Sequence, residues 1–179
     1  FGVAWCPLLF VPPSRAAAAA AVQRTRGSGV RSTPPRGIGP LPTVLPATAR
    51  RLAERAEQAG LSVLDAPVSG GPDRALAGDL TIMVGGDDDA VTAARPLLEV
   101  LGSTVTHMGP SGAGAATKLA NQLMMFSTLA GVHEAIELAA AHGVAAETLL
   151  EAVSTGTAGS WVGSNWGFFD RVAADYDYG

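Results

Sequence analysis

From Pro42 onward the apolar and polar positions fall into short periodic blocks separated by glycine and proline. Pro46 suits the first turn of a helix, Ala47 to Ala59 holds strong helix formers, and Gly60 suits the C-terminal cap. Leu61 to Leu64 then has the length and composition of a short strand. Asp65 to Pro72, reading DAPVSGGP, is predicted as a glycine-rich loop. Leu80 to Val84 (LTIMV) predicts a buried strand closed by Gly85-Gly86. Asp87, Asp88 and Asp89 stand where a helix would begin, a position that favours acids, and that helix should run to Leu101 with a bend near Pro96. Ser103 to His107 is a third strand, and the three strands are expected to be neighbours. Alternation of helix and strand predicts an α/β layer.

From Ser111 the pattern becomes helical. Apolar residues recur at Leu119, Leu123, Phe126, Leu129 or Ala130, and Ile136, and Gly143 provides a stop. A helix from Ala113 to His142 would be about 45 Å long at ~1.5 Å per residue. It is apolar nearly all round, which predicts burial between partners such as subunits. A second helix is expected from about Ala146 to Val153; the segment from Gly156 to Gly179, rich in Gly, Trp and Phe, shows no assignable period.

Residues 1–40 are different material. They hold Arg15, Arg24, Arg26, Arg31 and Arg36 and no acid, a run of alanines from Ala16 to Ala21, and the pairs Pro12-Pro13 and Pro34-Pro35. With few large apolar groups to bury, this segment is expected to be disordered. It reads as a tail, a misassigned gene start or a frame-shifted stretch. The remaining residues carry all 16 acids against seven basic residues, within a net charge of −4 for the chain. That balance gives no reason to expect a nucleic-acid partner. No unbroken apolar run reaches the ~18 residues of a membrane span, and Phe1 to Val11, interrupted by Pro7, lacks the basic flank of a signal peptide. Cys6 is the only cysteine, so no internal disulfide can form, and the expected location is the cytoplasm.

Lys118 is the most informative residue, because it is the sole lysine in the chain. A buried ammonium can release its proton near neutral pH, whereas a guanidinium cannot. Lys118 follows Gly109, Gly112 and Gly114 and precedes Asn121 and Gln122, which at three and four residues on share its helix face. This polar cluster on an apolar helix fits proton transfer; it also fits a lysine that reaches past an apolar surface to water. Ser69-Gly70-Gly71 could turn successive backbone N–H groups and a hydroxyl toward one anion, such as a carboxylate; a plain turn requiring positive φ is the alternative. His107, His133 and His142 form no metal-ligand grouping, although His133 and Glu137 share a helix face. Gly27-Ser28-Gly29 and Gly37-Ile38-Gly39 neither follow a strand nor carry a third glycine, and Trp161 and Trp166 read as packing residues.

Three motifs in order, DAPVSGGPDRALAGDLTIMVGGD, HMGPSGAGAATKLANQ and STGTAGSW, resemble the β-hydroxyacid dehydrogenases. That family includes 3-hydroxyisobutyrate dehydrogenase and tartronate semialdehyde reductase and is related to 6-phosphogluconate dehydrogenase. The resemblance runs from about Thr43 to the end of the chain. It implies an α/β part followed by an all-α part: residues 41–110 as the C-terminal strands of a Rossmann-type sheet, and 111–179 as the start of a helical domain reached by a long helix. It implies NAD or NADP as cofactor, a small 3-hydroxy acid or semialdehyde as substrate, and a homo-oligomer formed through the helical domain.

By the same resemblance Lys118 is the catalytic acid/base, and Ser69, Gly70 and Gly71 anchor the substrate carboxylate. Asn121 or Gln122 orients the substrate hydroxyl; many members place the asparagine at the position of Gln122. Thr43 corresponds to a threonine that contacts the cofactor, here preceded by Pro42 where a serine is usual. The G-x-G-x-x-G turn of the dinucleotide-binding half and the late KDL stretch of the helical domain have no counterpart in these 179 residues. The expectation is therefore a fragment with the catalytic lysine and without the nucleotide cradle, inactive by itself, with a non-catalytic fragment of a decayed or misassigned gene, or a helical association module, as the alternative.

Overall fold

A computed structural model describes residues 43–168. The expected disorder of residues 1–40, and the end of the Gly156–Gly179 segment, lie outside the described residues. The chain divides into two compact units, with the boundary between Ala120 and Asn121.

The first unit opens with α1 (Pro46–Gln58), which has Pro46 in its first turn. Gly60 adopts φ 67° and ends the helix: its N–H donates to the Glu57 carbonyl and that of Leu61 to the Ala56 carbonyl, both at 2.9 Å. Then follow β1 (Val68–Ser69), α2 (Gly71–Leu76), β2 (Thr81–Gly85), α3 (Asp88–Leu101) and β3 (Thr104–Gly109). The sheet order is β1-β2-β3, with β1 antiparallel to β2 and β2 parallel to β3. β2 pairs Thr81 with Thr104 and Ile82 with Val105, and the register slips between Val84 and Gly85. Leu64, Ala66, Ile82, Val84, Ala90, Val91, Ala94 and Leu98 form the core, so α3 lays one apolar face on the sheet. Pro96 stays inside α3 on its exposed side, where the Thr92 carbonyl that loses its N–H partner belongs to an equally exposed residue.

Two sequence expectations fail here. Leu61–Leu64 is not a strand: only its last residue, Leu64, stands at a bridge, next to Asp65 in an antiparallel bridge with Gly85, and strand pairing resumes at Val68. DAPVSGGP is not simply a loop, because its Val68–Ser69 pairs with β2 and its second half opens α2. Pro67, fully buried, has no N–H to add to a ladder, yet its carbonyl accepts from the Met83 N–H at 3.0 Å.

The long helix is α4 (Ala113–Ala141), 29 residues including Lys118, and it crosses the boundary between the units. Gly143, at φ 79°, closes it with the same paired bonds that end α1. In the second unit, α5 (Ala146–Ser154) and α6 (Trp161–Ser164) follow. Ser160 caps α6 by accepting the Gly163 N–H at 3.1 Å, and Trp161 meets Phe168 edge to face at 5.2 Å. A shallow apolar groove of about 260 Å³ lies between α4 and α5, lined by Val132, Leu149, Leu150 and Val153 among others.

Within the described chain, Gly114 and Ala115 are the only buried residues of α4, while Leu123, Met124, Phe126 and Leu138 are exposed. Nothing among the described residues covers that face. By length and composition alone α4 could also cross a membrane, with mean hydropathy 1.2 over its most apolar window. Counting only unbroken apolar runs overlooked it.

Two glycines of the long helix make a direct test of packing. A Cβ on Gly114 would fall 2.4 Å from the Met83 carbonyl oxygen and 2.8 Å from that of Asp65, whereas one on Gly131 would meet nothing within 4 Å. Gly114→Ala should lower the urea-unfolding free energy by about 1–3 kcal/mol or more. Gly131→Ala should raise it by about 0.5–1 kcal/mol through helix propensity.

Candidate functional site

Asp65 joins the first two of the three sequence motifs. It is only 3% exposed, and it exchanges two backbone hydrogen bonds with Gly85, at 3.0 and 2.7 Å. Its carboxylate accepts the Gly112 N–H at Oδ1 and the Ala115 N–H at Oδ2, both at 2.7 Å. These are free donors at the start of α4, where the helix dipole also favours a negative charge. Sequence reasoning passed over Asp65, although a lone acid in the apolar run Leu64–Val68 was a legible sign of a buried, partnered carboxylate.

The glycines around Asp65 are required by close approach. A Cβ on Gly85 would lie 2.5 Å from Asp65 Oδ1, and one on Gly114 would lie 2.9 Å from the Gly85 nitrogen. The start of α4 therefore packs backbone against backbone on the end of β2. Gly112, at φ 93°, is also closed in: a Cβ there would meet the Pro46 carbonyl oxygen at 2.9 Å and Arg50 at 3.2 Å. The beginning of α1 thus lies beside the beginning of α4.

The residues expected from the sequence lie as follows. Ser69 is half-buried at the end of β1. Gly70 and Gly71 follow at φ 144° and 74°, so the serine is followed at once by a turn that L-residues with side chains rarely adopt. A Cβ on Gly70 would touch Arg74 and Leu80 at 3.0 and 3.1 Å. Lys118 is half-buried on α4, three residues after Ala115, and has an interaction partner. Ser69 and Lys118 belong to the same compact unit. Asn121 and Gln122 belong to the second unit, are half-buried, and bond to each other, Asn121 Nδ2 donating to Gln122 Oε1 at 3.1 Å. Thr43 is half-buried just before α1. None of these residues lines the groove between α4 and α5.

His107 is a further unanticipated tie. Its Nε2 lies 2.8 Å from the Gly86 carbonyl oxygen and 3.0 Å from that of Gly109, and its Nδ1 lies 3.1 Å from Asp88 Oδ1. With the Gly86 N–H donating to the Gly109 carbonyl at 2.9 Å, the imidazole fastens the turn after β2 to the end of β3. At the other end of the sheet, hydrogen bonds from Ser103 and then Arg74 hold the exposed Asp79 carboxyl below the usual carboxylate range.

Residues 39–109 match the NAD binding domain of 6-phosphogluconate dehydrogenase, and residues 112–178 match a domain described as NAD-binding of NADP-dependent 3-hydroxyisobutyrate dehydrogenase. The chain is 41% identical over 140 residues to the NAD-dependent L-serine dehydrogenase of Pseudomonas aeruginosa, covering 76% of this chain and 47% of that one. Among solved structures, Mycobacterium tuberculosis 3-hydroxyisobutyrate dehydrogenase with L-serine matches at TM-score 0.64 and 35% identity, over 69% of this chain and 42% of that one. The 3-hydroxyisobutyrate dehydrogenase of Salmonella typhimurium matches at TM-score 0.67 and 30% identity, over 89% and 56%. A partial nucleotide-binding sheet leading into a helical region is the architecture these matches define, and the chain belongs to the β-hydroxyacid dehydrogenase family. It spans about half the length of the curated relatives it matches.

His107 offers a test of the sheet-end geometry. His107→Phe should cost about 1–3 kcal/mol in urea unfolding by stranding the buried Gly86 carbonyl, while the Gly109 carbonyl keeps the Gly86 N–H. Asp88→Asn should cost under about 1 kcal/mol, since the Asp88 side chain is 92% exposed.

Proposed function

We propose that these residues supply the substrate-side half of an NAD(P)-dependent dehydrogenase acting on a small 3-hydroxy acid or its semialdehyde. One observation carries the reading: the Ser69-Gly70-Gly71 turn and the sole lysine belong to one compact unit, tied together through Asp65. When bound, the nicotinamide takes the hydride from the hydroxyl-bearing carbon during oxidation. Lys118 takes the hydroxyl proton and returns it during reduction, help typically worth ~10²- to 10⁴-fold in rate. The Ser69 hydroxyl and the glycine turn after it hold the substrate carboxylate, and Asn121 or Gln122 orients the hydroxyl.

The fit to the cofactor is partial. Thr43, just before α1, is the residue to which the family resemblance gives a cofactor contact, and α1 starts beside Gly112. The pyrophosphate of a dinucleotide rests on a glycine turn between a strand and a helix N-terminus. The 179 residues contain no G-x-G-x-x-G sequence. The matched descriptions name both NAD and NADP, and the substrate class follows the 3-hydroxyisobutyrate and L-serine dehydrogenases among the relatives.

A second reading, association through the helical part, is favoured by the exposed Leu123, Met124, Phe126 and Leu138 of α4. It is compatible with the first, because the family resemblance implies a homo-oligomer formed through the helical domain.

The 179-residue chain should show no micromolar binding of NADH or NADPH by fluorescence or calorimetry. Joined to the nucleotide-binding half of a relative, it should oxidise short 3-hydroxy acids. Lys118→Ala in that joined enzyme should lower kcat by about 10²-fold or more. Micromolar binding by the lone chain would refute the partial-cradle reading; an undiminished kcat in Lys118→Ala would refute the role of the lysine.

A further inference from the structure

The carboxylate of Asp65 does more than its local surroundings require. Asparagine, serine or threonine caps a helix well without introducing a charge. The neighbouring helices manage with less: Leu45 before α1, Asp87 before α3 and Ala145 before α5 make no side-chain cap. At α4 a 3%-exposed carboxylate is spent instead, and it comes from residues 47 and 50 positions away in sequence. Burying a charge costs free energy unless strong partners replace water, and here two peptide N–H groups at 2.7 Å and the helix N-terminus do so.

A cap from a remote segment fixes where a helix sits, not only whether it forms. Each oxygen of Asp65 takes a different N–H, one from Gly112 and one from Ala115. Two bonds to two points on the first turn set both the position of the helix end and its rotation about its axis. Lys118 comes three residues after Ala115, and helical side chains lean toward the N-terminus, so Lys118 lies next to the clamp. The main chain of Asp65 is meanwhile locked to Gly85, and Ser69 comes only four residues later. The intervening stretch cannot drift: Ala66 and Pro67 are fully buried, the Pro67 carbonyl accepts from Met83, and Val68 pairs with Ile82.

We propose that Asp65 is a positioning residue that registers the Lys118 ammonium against the Ser69-Gly70-Gly71 turn. It does so by clamping the first turn of α4 with its side chain while its own segment leads into the turn. The significance for catalysis rests on the reading of Lys118 as the proton carrier; the positional claim does not.

The test uses the full 179-residue chain. Reductive methylation with ¹³C-formaldehyde labels one side chain, that of Lys118, besides the N-terminus, because the chain has a single lysine. The labelled resonance and amide hydrogen exchange are compared among the unaltered chain, Asp65→Asn and Asp65→Ser. In both variants the amides of residues 112–118 should exchange about tenfold faster or more, given the usual loss with a charged hydrogen bond. The Lys118 resonance should move toward that of free methylated lysine, while amides of 146–154 in α5 keep their rates. A folded Asp65→Asn chain with an unmoved Lys118 resonance overturns the proposal, as does a uniform rise in exchange with that resonance unmoved, which is the signature of general destabilisation.

If neither variant folds, the unaltered chain decides by itself. The amides of 115–118 should be protected as strongly as those of β2 and at least about tenfold more than those of 131–141. Equal protection along α4 overturns the clamp. A moved Lys118 resonance together with undiminished kcat in the joined Lys118→Ala enzyme would leave the clamp standing and remove the catalytic reading, so the two failures are told apart.

Discussion

A single buried carboxylate holds the first unit together at its functional end. Asp65 faces the N-terminus of α4 with its side chain and Gly85 with its main chain, and those two sets of bonds join the end of β2, the DAPVSGG segment and the long helix. The glycines follow from that constraint. Gly85 and Gly114 must lack Cβ atoms because the carboxylate and two stretches of backbone already occupy the space. A substitution at either glycine and the loss of the Asp65 charge would therefore act on the same joint, and their effects should not add as those of distant sites do.

The contrast along α4 shows how local the constraint is. Gly114 and Ala115 are buried, yet Leu123, Met124, Phe126 and Leu138 lie open. Helices in water derive most of their stability from an apolar face packed against something. An apolar stripe left open on a helix 29 residues long is a surface that calls for a cover. The described part of α4 carries more apolar surface than the described residues cover.

Much of the fold was legible in the sequence because periodicity is strong where elements are long. LTIMV became β2, the acid-led stretch from Asp87 became α3, and the run after Gly112 became α4 with Gly143 at its stop. The errors fall on short elements. Val68–Ser69 is two residues long, too short to show a period of two, and its neighbouring SGG read as loop. Leu61–Leu64 had strand composition, but composition records burial, and of these residues only Leu64 is buried and stands at a bridge. In the site, Lys118 and Ser69 stood out by their own chemistry. Asp65 did not, because its meaning lies in partners about fifty residues away.

The position of the lysine on its helix has a mechanical consequence. A helix fastened at one end moves least near the fastening. Lys118 lies three residues beyond Ala115, roughly 4.5 Å along the axis at ~1.5 Å per residue. Ala141, at the far end, lies roughly 39 Å beyond Ala115 on the same rise. A bend or tilt that displaces the far end by several ångströms displaces the lysine by only about a tenth as much. Proton transfer tolerates little error in distance, since a misplacement near 1 Å can cost on the order of 10²-fold in rate. A lysine that transfers protons is thus best placed in the first turns of such a helix, beside a charged clamp. Farther along, where the exposed apolar face waits for a partner, every adjustment to that partner would reach the reacting atoms.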